Sequence, residues 1–382
     1  MKLRLIATAV FGMEAIVAQE IKDLGFENVV VENGRVLFDS DELGLARANM
    51  WLRTAERVFI CVGQFKANKF ETLFDEINKL PWEVYIAKDA AFPVDAKSVK
   101  STLFSLSDIQ SLTKKAIVKR LTKLYRVEWF EETQETYRIL VSILKDEVTV
   151  SIDTSGSGLH RRGYRAKGNE APLKETLAAG LLLVSKWRAE RPLIDPFCGS
   201  GTIVIEAAMM AKHIAPGLNR EFDSEKWRWI DPEIWEKVRN EAKESVIEAI
   251  DVKIEGYDMD PRAIYIAREN AELAGVADIV HFQVRDVKDF STSRQYGTII
   301  CNPPYGERLN EVKEVEQLYK LMGKVFKPYT TWSKFVITSH DGFENAYGEK
   351  STKNRKLYNG RIKTHFYMYF GERPPRQPKE NQ

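Results

Sequence analysis

The sequence predicts an α/β protein, with two small α/β units ahead of a doubly wound, Rossmann-like domain that ends in an antiparallel hairpin. Three observations carry this. The first 64 residues read strand, helix, strand, strand, helix, strand, the order of a ferredoxin-like unit. Residues 193–201, Leu-Ile-Asp-Pro-Phe-Cys-Gly-Ser-Gly, form a buried strand ending in an acid and a glycine turn. Downstream, strand and helix patterns alternate until an Asn359-Gly360 turn opens a last alternating strand over 362–370.

Composition sets the frame. A chain of 382 residues holds two or three domains. Its 44% hydrophobic and 29% charged residues are ordinary for a globular protein. A formal net charge of +2 leaves any nucleic-acid affinity to local patches. The three cysteines, Cys61, Cys198 and Cys301, are far apart and form no CxxC. That argues against a disulfide framework, a zinc site or an iron–sulfur cluster, and fits a reducing cytoplasm. No apolar run approaches the roughly 20 residues of a membrane span. The first nine residues faintly mimic a signal peptide, but Arg4 breaks the apolar stretch and a helix pattern follows. No metal and no membrane partner are therefore expected.

In the first unit, 1–64, the strand at 3–10 precedes a helix marked by Met13, Ile16, Val17, Ile21 and Leu24. Asn33-Gly34 turns a hairpin, a helix covers 43–54, and a strand covers 58–63. The second unit, 65–155, has a short helix stopping at Pro81, an extended stretch over 93–103 and a helix over 107–125. One side of that helix carries Lys115, Lys119 and Lys123, with Lys114, Arg120 and Arg126 nearby. Such a stripe is commonly a solvated face. With almost no intervening acid, it is read here as an RNA contact. A hairpin over 139–152 closes the unit.

The linker, 156–169, packs Arg161, Arg162, Tyr164 and Arg165 closely together. It is either a basic surface linker or a phosphate clamp in which Tyr164 stacks. The clamp is preferred because the segment leads into the next domain.

That domain spans 170–372. Gly199 and Gly201 let a ligand lie against the backbone, but Val204 spoils a dinucleotide fingerprint and no Gly-Lys-Ser/Thr completes a P-loop. Asp195 at the strand end suits the positive charges of S-adenosylmethionine. Asp258, ending the next strand, suits a ribose diol, with Met259 against the adenine and Asp260-Pro261 starting a helix. Asp286, before Val287, either accepts from the adenine amine or caps a turn. The fourth strand runs into Asn302-Pro303-Pro304-Tyr305.

Those four residues suit a planar base bearing an exocyclic amine. The amine lone pair is delocalised into the ring, so the nitrogen is a poor nucleophile. Acceptors on the Asn302 side chain and the Pro303 carbonyl can hold both amine hydrogens and favour a pyramidal nitrogen. Tyr305 can stack on the base. The motif order thus points to methyl transfer from S-adenosylmethionine to a nucleobase nitrogen. An insert over 213–250 carries Trp227, Arg228, Trp229 and Trp235, which either cover the substrate or pack the insert onto its domain. Residues 373–382 read as a loose tail.

Residues 1 to about 372 resemble the bacterial THUMP-domain RNA methyltransferases. They are most similar to the THUMP-containing half of the 23S rRNA guanine-N2 methyltransferase, a family often labelled N6-adenine-specific DNA methylases. The matching pieces are the 195–202 turn, Leu159 to Arg165, Ala171 to Ala178, the Ala-Pro-Gly-Leu of the insert, Asn302 to Gly306, and Tyr358-Asn359-Gly360. The resemblance implies a ferredoxin-like and THUMP module for structured RNA, then a class I methyltransferase domain. It places Pro172 and Leu173 near the methionine end of the cofactor, and adds Phe197 and Val287 to its site. Some members carry a second methyltransferase domain, and this sequence ends before one, so the RNA target need not be theirs.

The expected activity is S-adenosylmethionine-dependent guanine-N2 methylation of RNA, with 23S rRNA or its precursor as partner. The alternatives are adenine-N6 methylation of RNA or DNA, and a non-catalytic ribosome assembly factor. No target-recognition domain of a DNA enzyme is visible downstream, and intact Asp195, Gly199, Gly201, Asp258 and Asn302 argue against decay.

Overall fold

The computed structural model describes residues 1–127, 129–165, 173–306 and 312–375. The chain forms two compact units. One comprises Met1–Ala9, Val17–Leu159 and Arg220–Glu241; the other comprises Val10–Ile16, His160–Asn219 and Ala242–Gln382.

The first unit runs β1 (Leu3–Ala9), α1 (Glu14–Asp23), β2 (Glu27–Glu32), β3 (Arg35–Ser40), α2 (Glu42–Trp51) and β4 (Ala55–Lys66). It continues through α3 (Phe70–Lys79), β5 (Val94–Val99), α4 (Leu106–Tyr125), β6 (Arg138–Leu144) and β7 (Glu147–Asp153). Asp41 starts α2 by accepting from the Gly44 N–H at 2.8 Å. The strands β2, β3, β1 and β4 pair antiparallel in the ferredoxin-like order. The boundary expected at residue 64 falls inside β4. Its residues 55–60 pair with β1, and 59–66 pair with β7. One seven-stranded sheet, β2-β3-β1-β4-β7-β6-β5, therefore spans both expected units. Lys145 and Asp146 both take positive φ in the tight β6–β7 turn.

The second unit runs α5 (Glu175–Ser185), β8 (Leu193–Asp195) and α6 (Thr202–Ala211). After α7 (Pro232–Glu244) come β9 (Ile254–Asp258), α8 (Pro261–Leu273), β10 (Val280–Val284) and β11 (Thr298–Cys301). Then follow α9 (Val312–Phe326), β12 (Ser333–Thr338), α10 (Phe343–Tyr347), β13 (Lys353–Asn359) and β14 (Ile362–Tyr369). The sheet order is β10-β9-β8-β11-β12-β14-β13. Its first five strands are parallel, and β14 and β13 add antiparallel. Residues of β11 alternate between two cores: Ile300 joins the core with α6 and α8, while Ile299 and Cys301 join the core with α9 and α10. With both faces covered, the strand is apolar throughout. Successive strands lie to opposite sides of β8, so a crevice opens at the carboxyl ends of β8 and β11. No helix among the described residues is long and apolar enough to cross a membrane.

The tryptophans of the insert are packing residues, but not on the domain expected. Arg220–Glu241 belongs to the first unit. Trp227 is buried, stacks on Tyr137 with centroids 4.7 Å apart, and donates its indole N–H to the Thr136 carbonyl at 3.0 Å. Trp235 stacks on Phe222, and Arg228 pairs with Glu135 and Asp89. Trp227, Trp235 and Arg228 thus find their packing and ion-pair partners within the first unit.

Candidate active site

A cavity of ≈ 640 Å³ opens in the second unit at the carboxyl ends of β8, β9, β10 and β11. This is within the usual range for a small-molecule site, ~300–1,000 Å³. It collects residues that are distant in sequence: Leu173, Asp195, Phe197, Gly199, Asp258, Met259, Asp286, Val287 and the whole Asn302-to-Tyr305 turn. Pro172 lies outside the described residues.

Gly199 lines the cavity with φ +51°, and a Cβ there would project into open space. A side chain at 199 would occupy room that a ligand needs. Gly201 has another task. It takes φ +83° and a Cβ on it would meet Phe282 at 2.9 Å and Ala267 at 3.1 Å. It is absent from the cavity wall and allows α6 to pack closely.

Asp195 is 1% exposed and accepts from the Phe197 N–H at 3.0 Å. Burial, with Asp258 nearby, pushes its carboxyl well above the usual range. A cationic ligand would relieve that cost, so the residues present fit a sulfonium- and ammonium-bearing cofactor. Asp258 accepts at one oxygen from the Gly199 N–H and at the other from the Asp260 N–H, each at 2.9 Å. It joins the end of β9 to the glycine turn and retains lone pairs for a diol. Asp258→Ala is therefore expected to weaken S-adenosylmethionine binding by about 1.5–3 kcal/mol. Calorimetry giving wild-type affinity would remove Asp258 from the cofactor site.

Asp286 satisfies the capping alternative: it accepts from the Lys288 N–H at 2.9 Å and pairs with the Lys288 ammonium at 3.1 Å. These contacts hold its carboxyl below the ordinary value. It also lines the cavity, so its remaining lone pairs stay available to an amine. Met259 is 74% exposed at the rim.

In the Asn302 turn, the Tyr305 hydroxyl donates to Asn302 Oδ1 at 2.6 Å. An incoming amine would exchange that hydroxyl for its own N–H. The Pro304 carbonyl accepts from the hydroxyl of Tyr319 on α9 at 2.7 Å, and Tyr319 also meets Thr338 Oγ1 at 2.9 Å. Burial pushes Tyr319 up to about 12, which keeps its proton available to that carbonyl. Sequence reasoning missed Tyr319 because it sits on the apolar face of a helix. It also missed the cavity-lining position of Asn359, whose Asn-Gly pair serves in the sequence reading as a turn and as part of the family resemblance. In fact Asn359 still pairs with Ile362, and the two-residue turn is Gly360-Arg361.

The basic linker departs most from expectation. Arg162 is 2% exposed and pairs with buried Glu206 of α6 at 3.3 Å. Tyr164 is also buried and donates its hydroxyl to Glu206 at 3.3 Å. Neither can meet a phosphate or a base. Arg165 pairs with Glu175 and donates to the Leu173 carbonyl at 2.9 Å and Thr202 Oγ1 at 2.8 Å. It braces the cavity wall. Only Arg161 of the four is exposed. The expected clamp gives way because buried Glu206 and Glu175 need cations more than the surface does. On α4, Lys115, Lys119 and Lys123 are exposed, whereas Lys114 pairs with Glu132 and Arg120 with Glu83.

This strand-end geometry is that of a class I methyltransferase. The family model for the RMKL-like methyltransferase domain matches residues 162–368, and the chain belongs to that family. Models for the RlmL ferredoxin-like domain and the THUMP domain match 4–59 and 67–153. The chain is 50% identical to the Bacillus subtilis protein named "Putative RNA methyltransferase YpsC", over 100% of this chain and 99% of that one. It is 33% identical to "Ribosomal RNA large subunit methyltransferase K/L" of Shewanella baltica, over 96% of this chain. It spans about half (53%) of that longer protein. The crystal structure of SMU.472, "a putative methyltransferase complexed with SAH", shares 45% identity and superposes with a TM-score of 0.93, covering 98% of this chain and 99% of that one. Family membership bears out the expected cofactor, S-adenosylmethionine.

Proposed function

We propose that this protein methylates the exocyclic N2 of a guanine in 23S rRNA, working in the cytoplasm. The observation that carries the reading is the shared cavity: the Asn302-to-Tyr305 turn opens onto the same space as Asp195, Gly199 and Asp258. The names of the relatives support RNA, and ribosomal RNA in particular, as substrate. The N2 position rests on the resemblance to the guanine-N2 enzymes.

S-adenosylmethionine supplies an electrophilic methyl group. The protein's own residues would prepare the acceptor. Asn302 Oδ1 and the Pro303 carbonyl accept the two amine hydrogens and turn the nitrogen lone pair out of conjugation. The Tyr305 ring holds the base plane, while Tyr319 fixes the Pro304–Tyr305 peptide through its hydroxyl. No general base is needed, because the proton is lost readily once the nitrogen is cationic.

Mass spectrometry of nucleosides from 23S rRNA tests this directly. A deletion strain should lack one N2-methylguanine that the wild-type gene restores. Loss of an N6-methyladenine instead would transfer the assignment to adenine, since the same acceptors serve either amine. Unchanged nucleosides throughout would remove ribosomal RNA as substrate.

RNA docking on the THUMP-bearing unit is tested separately. Replacing Lys115, Lys119 and Lys123 with Ala should weaken RNA binding without altering cofactor affinity. The log–log salt slope should fall in magnitude by somewhat under one unit, about 0.7–0.9, per lost phosphate contact. An unaltered slope and affinity would leave the stripe as a solvated face.

A further inference from the structure

The second unit contains another cavity, of ≈ 900 Å³, at the opposite end of the sheet from the active site. It lies where β11, β12 and β13 begin and β14 finishes. Five cations line it, Lys186, Arg191, Lys353, Arg355 and Arg373, against one carboxylate, Glu372. In a chain whose net charge is only +2, that imbalance is local.

Arg4, Arg35, Arg57, Arg120, Arg165 and Arg294 each have a carboxylate partner. None of the five cations here has an ion pair among the described residues. An oxygen-rich anion small enough to enter would answer this cluster of cations. Phosphate fits best, since the guanidinium fork matches its geometry. The cations come from several segments of the chain, with Lys353 and Arg355 both on β13, around a volume far larger than one phosphate, which suits successive phosphates better than a single small ion.

We propose that this cavity binds phosphate groups of the RNA backbone and forms a second docking site, remote from the chemistry. This rests on the reading that the substrate is RNA. The six residues of β12 put roughly 20 Å between the two ends of the sheet. An RNA touching both ends must reach at least that far, so an oligonucleotide of very few nucleotides could not engage both.

The test uses the full chain in two variants, Arg191→Gln with Lys353→Gln, both at exposed positions, and Arg355→Gln alone. Binding of a 23S rRNA transcript is followed by anisotropy across salt concentrations. The double variant should bind roughly tenfold or more weakly near 0.1 M salt, with a slope shallower by about 0.7–0.9 per lost contact. S-adenosylmethionine affinity should be unchanged. Wild-type RNA affinity and slope in both variants would overturn the proposal. Tight binding of inorganic pyrophosphate alongside that result would mark a free-anion site instead. If wild-type protein itself fails to bind the transcript, the RNA reading falls and this role with it; if only the variants match wild type, the cavity's role alone falls.

Discussion

Arg162→Ala should lower the unfolding free energy by about 3–5 kcal/mol, the scale for removing one partner of a buried ion pair. Arg162 and Glu206 are 2% and 0% exposed, and the Tyr164 hydroxyl reaches the same carboxylate. Deleting the guanidinium leaves Glu206 charged inside an apolar core with only a phenol for company. A second variant isolates the charge effect from lost packing. Arg162→Met combined with Glu206→Leu removes both charges and keeps much of the volume, so it should recover most of the loss. Urea unfolding of the three proteins checks this. Equal destabilisation in the single and double variants would mean that shape, not charge, makes Arg162 important.

That pair also shows where the sequence could and could not be read. Arg162 and Tyr164 looked like surface groups because their neighbours are basic and glycine-rich. Their partner lies on α6, whose sequence is otherwise apolar, Thr-Ile-Val-Ile-Glu-Ala-Ala-Met-Met-Ala. A lone carboxylate in such a helix has to be paired once the helix is buried, so Glu206 was the available signal. Which cation it would choose depends on the tertiary fold. Trp227 and Arg228 illustrate the same limit, since aromatic and cationic side chains serve a base or a neighbouring strand equally well. Asp195, Asp258, Asp286 and Asn302 were legible for the opposite reason. Their positions follow from chain-local rules, an acid or amide where a parallel strand ends, and the sheet order then brings them together. The shared β4 was hidden because its first half alone completes the ferredoxin-like pattern. The bracing hydroxyl of Tyr319 was hidden because an aromatic residue on an apolar helix face reads as core.

Asn302→Ala should leave S-adenosylmethionine affinity close to wild type while methyl transfer falls by orders of magnitude. In the proposed mechanism the side chain contributes an acceptor for the amine of the base, and that contact would strengthen only as the nitrogen becomes pyramidal, so its loss would be felt in kcat. The structure adds a second consequence. Asn302 Oδ1 is held by the Tyr305 hydroxyl at 2.6 Å, so in the proposed mechanism a base would have to displace that hydroxyl. Tyr305→Phe frees that oxygen and keeps the stacking ring, and should cost far less activity than Tyr305→Ala, which loses the ring. Single-turnover methylation of RNA, run beside calorimetry with the cofactor, separates the two steps. Full turnover in Asn302→Ala would overturn its catalytic assignment. A Tyr305→Phe defect as deep as that of Tyr305→Ala would show that the hydroxyl, not the ring, is what the reaction needs.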